Sequence, residues 1–172
     1  MKISLLILLL AVGAAQAQTN GVEKAPAQRL DIKSDSWDFS QSTRQVIYRG
    51  HVRVTNPQLQ LSCELLTVTY PVGGGHPDHL QSETNVVIDY TELTGAKYHI
   101  TAAKAVYDYK VANAITNESG CFSGNPKVEM PQGQVTGEPI FWERVNGQNL
   151  KIHAENPTMG ADSTNGTPLK LF

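Results

Sequence analysis

Residues 46–70 read VIYRGHVRVTNPQLQLSCELLTVTY, and this stretch decides the fold class. Its two halves, 46–55 and 59–70, are rich in Val, Leu, Thr and Tyr, and apolar and polar residues alternate along both. Alternation with a period of two places one face of a strand in a core and the other face in water. Asn56-Pro57 between the halves is a turn signal. The stretch therefore predicts two consecutive β-strands.

Similar runs follow along the chain at 86–90 (VVIDY), 98–109 (YHITAAKAVYDY) and 135–142 (VTGEPIFW), and turn signals separate them. No long stretch keeps a helical period, and the alanines make 102–109 alone ambiguous. Short strands at this spacing are typical of an all-β sandwich, barrel or roll.

A weak internal repeat is the most informative pattern. It reads apolar, any, small, usually acidic, any, apolar, any, apolar. The small–acidic steps of the five copies are Ser34-Asp35, Cys63-Glu64, Ala102-Ala103, Gly137-Glu138 and Ala154-Glu155. The apolar pairs on either side of the step are an odd number of positions apart, so a straight strand would send them to opposite faces. A bulge or sharp bend at the step restores a common inner face. The repeat predicts long strands folded over a shared interior, with the acidic side chains pointing to solvent.

The first 17 residues read as a secretory signal. Lys2 precedes an apolar run at 3–12, and Ala15-Gln16-Ala17 has the form read by signal peptidase, so cleavage after Ala17 is expected. The run is shorter than the roughly 20 residues of a membrane span, although a retained anchor helix is the alternative. The mature chain is then divided into a flexible segment at 18–28, one domain at 29–155 and a polar tail at 156–172.

The remaining composition excludes several classes of function. A net charge of −2 gives no basic surface for nucleic acid. Gly73-Gly74-Gly75 lacks the Lys-Ser/Thr of a phosphate loop, and no Gly-x-Ser-x-Gly nucleophile motif occurs. The segment 76–79, His-Pro-Asp-His, carries two imidazoles and a carboxylate but reads as a solvated loop. We therefore predict no catalytic residue, no metal site and no cofactor.

Two cysteines, Cys63 and Cys121, leave two alternatives open. An exported chain meets an oxidising environment, so a Cys63–Cys121 disulfide is chemically allowed. The alternative is two separate buried thiols that act as small apolar side chains.

Four segments in order resemble the OstA-like family of lipopolysaccharide export, and most of all its periplasmic bridge protein. Residues 30–35 (LDIKSD) are similar to the family's opening I-x-I-x-S-D, and 46–55 to V-x-x-x-G-x-V-x-V. Residues 61–68 resemble I-x-A-D-x-V-x-V, and 102–108 resemble A-x-x-x-x-Y-D. The chain departs from the family at Cys63 and Ala103, where Ala and Asp are usual, in the loop 73–77, and in 156–172.

The resemblance implies a single open β-jellyroll of many antiparallel strands, in the periplasm, with an apolar interior that carries lipopolysaccharide between the inner and outer membranes. The implied partners are lipopolysaccharide and the inner- and outer-membrane export components of the same jellyroll type. The edges at Leu30–Asp35 and Leu150–Glu155 would serve self-association in a head-to-tail bridge. The alternative function is an envelope assembly module that pairs through its edges around a solid core.

Eight residues are candidates for the lipid-binding lining. Matching by motif places Leu30, Ile32, Val87, Tyr107 and Tyr109 on the family's inner face, although Val86 and Ile88 would point the other way from Val87 in a regular strand. The alternative for each is a plain core residue. The full set is Leu30, Ile32, Leu59, Leu61, Val87, Ile100, Tyr107 and Tyr109.

Overall fold

The computed structural model describes residues 30–160, and it confirms the all-β prediction. Within that range twelve strands form one antiparallel sheet. None of these residues lies in a helix, so none offers a helical membrane span. The strands are β1 (Asp31–Lys33), β2 (Ser36–Ser40), β3 (Gln45–Thr55), β4 (Leu59–Thr69), β5 (His79–Thr91), β6 (Lys97–Ala112), β7 (Ile115–Ser123), β8 (Lys127–Met130), β9 (Gly133–Thr136), β10 (Ile140–Val145), β11 (Gln148–Ala154) and β12 (Thr158–Gly160).

The sheet folds into two layers, and the four long strands, β3 to β6, run through both. The first layer has the order β2-β3-β4-β5-β6-β7-β10-β11. The second has the order β1-β3-β4-β5-β6-β8-β9-β12. One half of β6 pairs with β7 and the other half with β8. This is the predicted open β-jellyroll.

The long strands pass from one layer to the other at β-bulges. Gly50 and His51 in β3 lie opposite the single residue Glu64 of β4. In β5, Thr84 and Asn85 lie opposite Ala103 of β6 in the same way. All four bulged residues have positive φ, between 46° and 75°. Two of the repeat's small–acidic steps, in β4 and β6, therefore lie at bends, as predicted. The extra residue of each bulge belongs to the strand paired with the step, β3 or β5.

The other three steps lie where one strand ends and the next has yet to begin. Ser34-Asp35 separates β1 from β2, Gly137-Glu138 separates β9 from β10, and Ala154-Glu155 ends β11 before β12. At each of them the chain leaves one layer and enters the other. The prediction of a bend at every copy of the repeat is confirmed.

The acidic side chains do more than point to solvent. The exposed Glu64 accepts a hydrogen bond from the backbone N–H of the bulged His51, at 3.4 Å. Asp35 Oδ2 lies 2.8 Å from His51 Nδ1. Glu138 accepts from the backbone N–H groups of Gly124 and Asn125, at 3.1 and 2.8 Å, where φ is again positive. These carboxylates therefore stabilise the left-handed backbone at which the layers meet.

Two clusters of buried side chains lie between the layers. One includes Val54 of the second layer and Val68 of the first, which are 3% and 1% exposed. The other joins Val128 of the second layer to Ile140 of the first. Burial of each such side chain stabilises the fold by roughly 1.5–3 kcal/mol, so the two layers are held together by a shared core.

Several predicted boundaries need correction. The run 86–90 is part of the longer β5, and 135–142 is two strands, because the chain changes layer between Thr136 and Ile140. Strands β7 and β8 were not among the predicted runs. Thr158–Gly160 of the predicted tail forms β12, which pairs with β9. The proposed signal and the segment 18–28 lie outside the described residues.

Candidate functional site

The inner face of the first layer carries two rows of side chains that cross all eight strands. Directly paired residues in the register define each row. The row farther from the bends is Phe39, Val46, Val68, Leu80, Tyr107, Gly120, Trp142 and Ile152. The row nearer to the bends is Trp37, Tyr48, Leu66, Ser82, Ala105, Phe122, Ile140 and Ala154. We call the space above these rows, between the two layers, the trough.

The second layer faces the trough with a third row. Its members are Ile32, Val54, Leu61, Ile88, Ile100, Val128, Val135 and Met159. All eight side chains are apolar, so the second layer gives the trough an apolar wall from one end of the sheet to the other.

The trough is open at its N-terminal edge. Trp37 and Phe39 of β2 project into it and remain 64% and 59% exposed. Together with Ile32, Val46 and Tyr48 they line a cavity of about 710 Å³. Neighbouring apolar side chains this exposed form a patch of the kind at which proteins contact ligands or partners.

Six of the eight predicted lining residues belong to the rows or lie next to them. Ile32, Leu61 and Ile100 are in the row of the second layer, and Tyr107 is in the first layer. Leu59 begins β4, opposite Tyr90 of β5. Leu30 lies just before β1 and is 41% exposed.

Two of the predicted residues have other surroundings. Tyr109 shares the inner face with Tyr107 but is stacked against the His76 ring, with centroids 4.0 Å apart. Val87 pairs with Ser62 and Thr101 on the outer face, while its neighbour Val86 is buried in the core. The placement of Val87 in the lining is therefore wrong, because the strand is regular between Val86 and Thr91.

A polar group inside the trough was not found from the sequence. Arg144 Nε donates to Glu118 Oε2 at 2.7 Å, and Arg144 Nη1 donates to the Tyr90 hydroxyl at 2.8 Å. The Tyr107 hydroxyl donates to Glu118 Oε1 at 3.0 Å. The side chains of Arg144 and Glu118 are 22% and 13% exposed. In the sequence, Ile140, Trp142 and Arg144 are two residues apart, and this spacing predicts that all three lie on one face of a strand.

The protonation of this group follows from its contacts. Burial and the adjacent Glu118 carboxylate raise the pKa of Tyr107 far above its usual value. Burial alone would lower the pKa of Arg144, but the hydrogen bonds to Glu118 and Tyr90 outweigh it and the net pKa is raised. The guanidinium therefore stays charged, and the Tyr107 hydroxyl stays protonated.

The two cysteines do not form the disulfide that the sequence allows. Both thiols are free, and Cys63 is buried in the core while Cys121 lies on the outer face of β7, paired with Val106 and Phe141. Strands β4 and β7 are three positions apart in the sheet, which is about 14 Å at the usual spacing. This separation is too large for a disulfide. Burial raises the pKa of Cys63 to about 11.

The imidazoles of the segment 76–79 have separate partners. His76 Nδ1 lies 2.7 Å from the Pro77 carbonyl oxygen, and His79 Nδ1 lies 2.9 Å from Asp108 Oδ1 on β6. Between residues 30 and 160, no group of three or more His, Cys, Asp or Glu side chains is arranged to hold a metal ion.

Comparison with known proteins gives one family and one solved structure of note. The family model "LptA/(LptD N-terminal domain) LPS transport protein" matches residues 31–148. The crystal structure of LptH from Pseudomonas aeruginosa, described as the LptA homologous periplasmic component of the lipopolysaccharide transport device, is similar in fold. Its TM-score is 0.58 at 16% identity, over 83% of this chain and 90% of that one. No curated protein sequence matches the chain. Because the family match covers more than half of its residues, this chain belongs to the LptA/LptD N-terminal family of LPS transport proteins, which are not enzymes.

Proposed function

We propose that this protein carries lipopolysaccharide through the periplasm, from the inner to the outer membrane, with the acyl chains held in the trough. The family is one of LPS transport, and the similar LptH is a periplasmic component of a lipopolysaccharide transport device. Export to the periplasm also agrees with the signal sequence expected at residues 1–17. The protein acts by binding and passing on the lipid, without chemistry.

The observation that carries this proposal is the continuity of the apolar rows and their opening at the N-terminal edge. Acyl chains need a continuous apolar lining, and each buried CH₂ contributes roughly 0.8 kcal/mol. The exposed Trp37 and Phe39 give such a chain an apolar surface at the end of the trough. Ile32 faces them from the second layer.

The proposed bridge uses the ends of the sheet. The expected edge at residues 30–35 contains β1, which pairs with β3, and most of the expected edge at residues 150–155 lies in β11, which pairs with β10. Within residues 30–160 each of these strands has that one strand neighbour, as does β2, which pairs with the other half of β3. Edge strands of this kind pair readily with a strand of another chain. Pairing of one end with the opposite end of the next molecule is heterologous, and it builds open filaments unless the rotation closes a ring. The same edges would receive the membrane-bound export components of the jellyroll type.

Photo-crosslinking tests the lipid proposal. A photoreactive phenylalanine analogue at Phe39 faces the trough, and the same analogue at the neighbouring Asp38 is on the outer face of β2. Both positions are exposed, so neither substitution should disturb the core. We expect adducts with lipopolysaccharide at Phe39 and at Ile32, but none at Asp38. Equal labelling of Phe39 and Asp38, or none at Phe39 in the folded protein, would contradict the proposal.

The second candidate is an assembly module with a solid core, and one observation favours it. Near the bends the interior is packed, since Val52, Leu66 and Ile140 are each at most 1% exposed. In that case the edges would still support concentration-dependent assembly in sedimentation experiments. The mature protein would then form filaments yet give no lipid adduct at Phe39.

A further inference from the structure

A polar contact connects the two layers across the trough. Tyr90 belongs to the half of β5 that lies in the second layer, opposite Tyr98 of β6. Arg144 and Glu118 belong to β10 and β7 of the first layer. The hydrogen bond from Arg144 Nη1 to the Tyr90 hydroxyl, 2.8 Å long, therefore joins the layers through residues 54 positions apart in sequence. The Arg144 guanidinium carbon also lies 5.7 Å from the centre of the Tyr90 ring.

This contact lies on the side of the trough away from the bends. Along β10, Ile140 comes first after the bend at Gly137-Glu138, and Arg144 is four residues farther on. Along β5, Tyr90 is likewise four residues beyond Val86, which follows the bulge at Thr84-Asn85. The bends hold the layers together covalently at one side. The Arg144–Tyr90 bond holds them on the other side, where the jellyroll is open.

The ion pair fixes the Arg144 side chain for this role. Glu118 accepts hydrogen bonds from both Arg144 and Tyr107, so its two carboxylate oxygens are each occupied. A partly buried guanidinium that lost this carboxylate would be left with an uncompensated charge. Acyl chains cannot hydrogen-bond with any of these groups, so a chain that enters the trough from the open side must displace the contact between Arg144 and Tyr90.

We propose that Arg144, Glu118 and Tyr90 form a latch. It holds the two layers together on the side away from the bends while the trough is empty, and it separates when an acyl chain enters from that side. That the latch holds the layers together concerns the lipid-free protein alone. That it separates for an acyl chain rests on the proposed function, and separate measurements test the two statements.

The first measurement is the distance between spin labels on the two layers in the lipid-free mature protein. Labels at Asp89 and Glu143 lie on the outer faces, next to Tyr90 and Arg144 in sequence, in a Cys63→Ala, Cys121→Ser background. Both labelled positions are more than half exposed, so the loss of their ion pairs with His99 and Lys151 should cost little. We expect one narrow distance distribution in the parent. Tyr90→Phe should give a broader distribution at longer mean distance.

Tyr98→Phe is the matched control. The Tyr98 ring lies 6.1 Å from the Tyr90 ring, but its hydroxyl donates to Glu92 at the β5–β6 turn, within the second layer. This variant should keep the distribution of the parent. Tyr90→Phe retains the ion pair and should fold, and circular dichroism verifies this. An unchanged distribution in folded Tyr90→Phe and Glu118→Gln would overturn the latch.

The second measurement is the association rate of a photoreactive lipopolysaccharide probe with the same variants. Loss of one hydrogen bond should raise the rate in Tyr90→Phe about two- to tenfold, since the open form becomes more populated by that factor. A rate no higher than that of Tyr98→Phe would overturn the proposed sideways entry. If no variant binds the probe while the label distances still lengthen, the latch stands and the lipid function fails.

Discussion

The chain has two tryptophans, and they occupy opposite ends of the trough. Trp37 on the edge strand β2 is 64% exposed. Trp142 on β10 lies over Gly120, with its ring 6.0 Å from that of Tyr107, and its indole N–H is buried without a hydrogen-bond partner among the described residues. The same kind of side chain is thus exposed at one end and packed at the other. The difference shows that the trough is asymmetric, with exposed apolar side chains at its N-terminal end and the partly buried Arg144–Glu118 ion pair towards its C-terminal end.

The largest expected effect compares two positions in one row. Leu66 is 1% exposed and Trp37 lies two strands away in the same row. Leu66→Ala should lower the free energy of unfolding by about 2–5 kcal/mol because it leaves a cavity. Trp37→Ala should change it by less than about 0.5 kcal/mol. Urea unfolding followed by circular dichroism measures both, and a large loss in Trp37→Ala would mean that the N-terminal end is packed after all.

The next effect compares the ion pairs of the two regions. Glu118→Ala leaves Arg144 partly buried without its carboxylate and should cost about 2–3 kcal/mol. Asp38→Ala removes the partner of Arg49 at the exposed edge and should cost under about 1 kcal/mol. Thermal and urea unfolding measure the loss in free energy of unfolding for each variant. Equal costs would remove the electrostatic difference between the two ends.

A smaller effect concerns the unpaired indole. Trp142→Phe removes a buried donor that lacks a partner, which offsets the lost packing of the larger ring. We expect the free energy of unfolding to change by less than about 1 kcal/mol. A loss of several kcal/mol in urea would indicate that the Trp142 N–H is satisfied in solution.

The smallest effect lies at the bulge beside the N-terminal edge. The hydrogen bond from His51 to Asp35, together with the charges of Asp35 and Glu64, raises the pKa of His51 above its usual 6.5. Because the folded pKa is the higher one, the resulting stabilisation is complete below pH 6.5 and is lost as the pH rises through the folded value. NMR titration should show this pKa fall towards 6.5 in Asp35→Asn. An unchanged value would assign the shift to Glu64.

Much of the fold follows from local patterns. The alternation in 46–55 and 59–70 predicted β3 and β4 to within a residue, since one face of each strand is buried. The repeat located the bends because an odd spacing between apolar pairs requires a change of face. The sequence could not show that the bulged residues Gly50-His51 and Thr84-Asn85 belong to the facing strands, because that depends on pairing between strands.

The site was less predictable. The apolar lining follows from alternation, and the same rule would have excluded Val87. Strand β7, ITNESGCFS, has few apolar residues, so its inward-facing Glu118 carries no strand signal of its own. The contact of Arg144 with Tyr90 joins two layers and depends on how far apart they lie. No single-sequence pattern reports that distance.

The rows of the trough also set a length. Each row crosses eight strands, which corresponds to about 34 Å at the usual strand spacing. One leaflet of a bilayer contributes about 15 Å of hydrocarbon, half of the membrane's apolar thickness. A single molecule is therefore long enough for two leaflet-length chains placed end to end. Under the proposed function, one leaflet-length acyl chain lying along the rows would occupy about half the length of a single molecule.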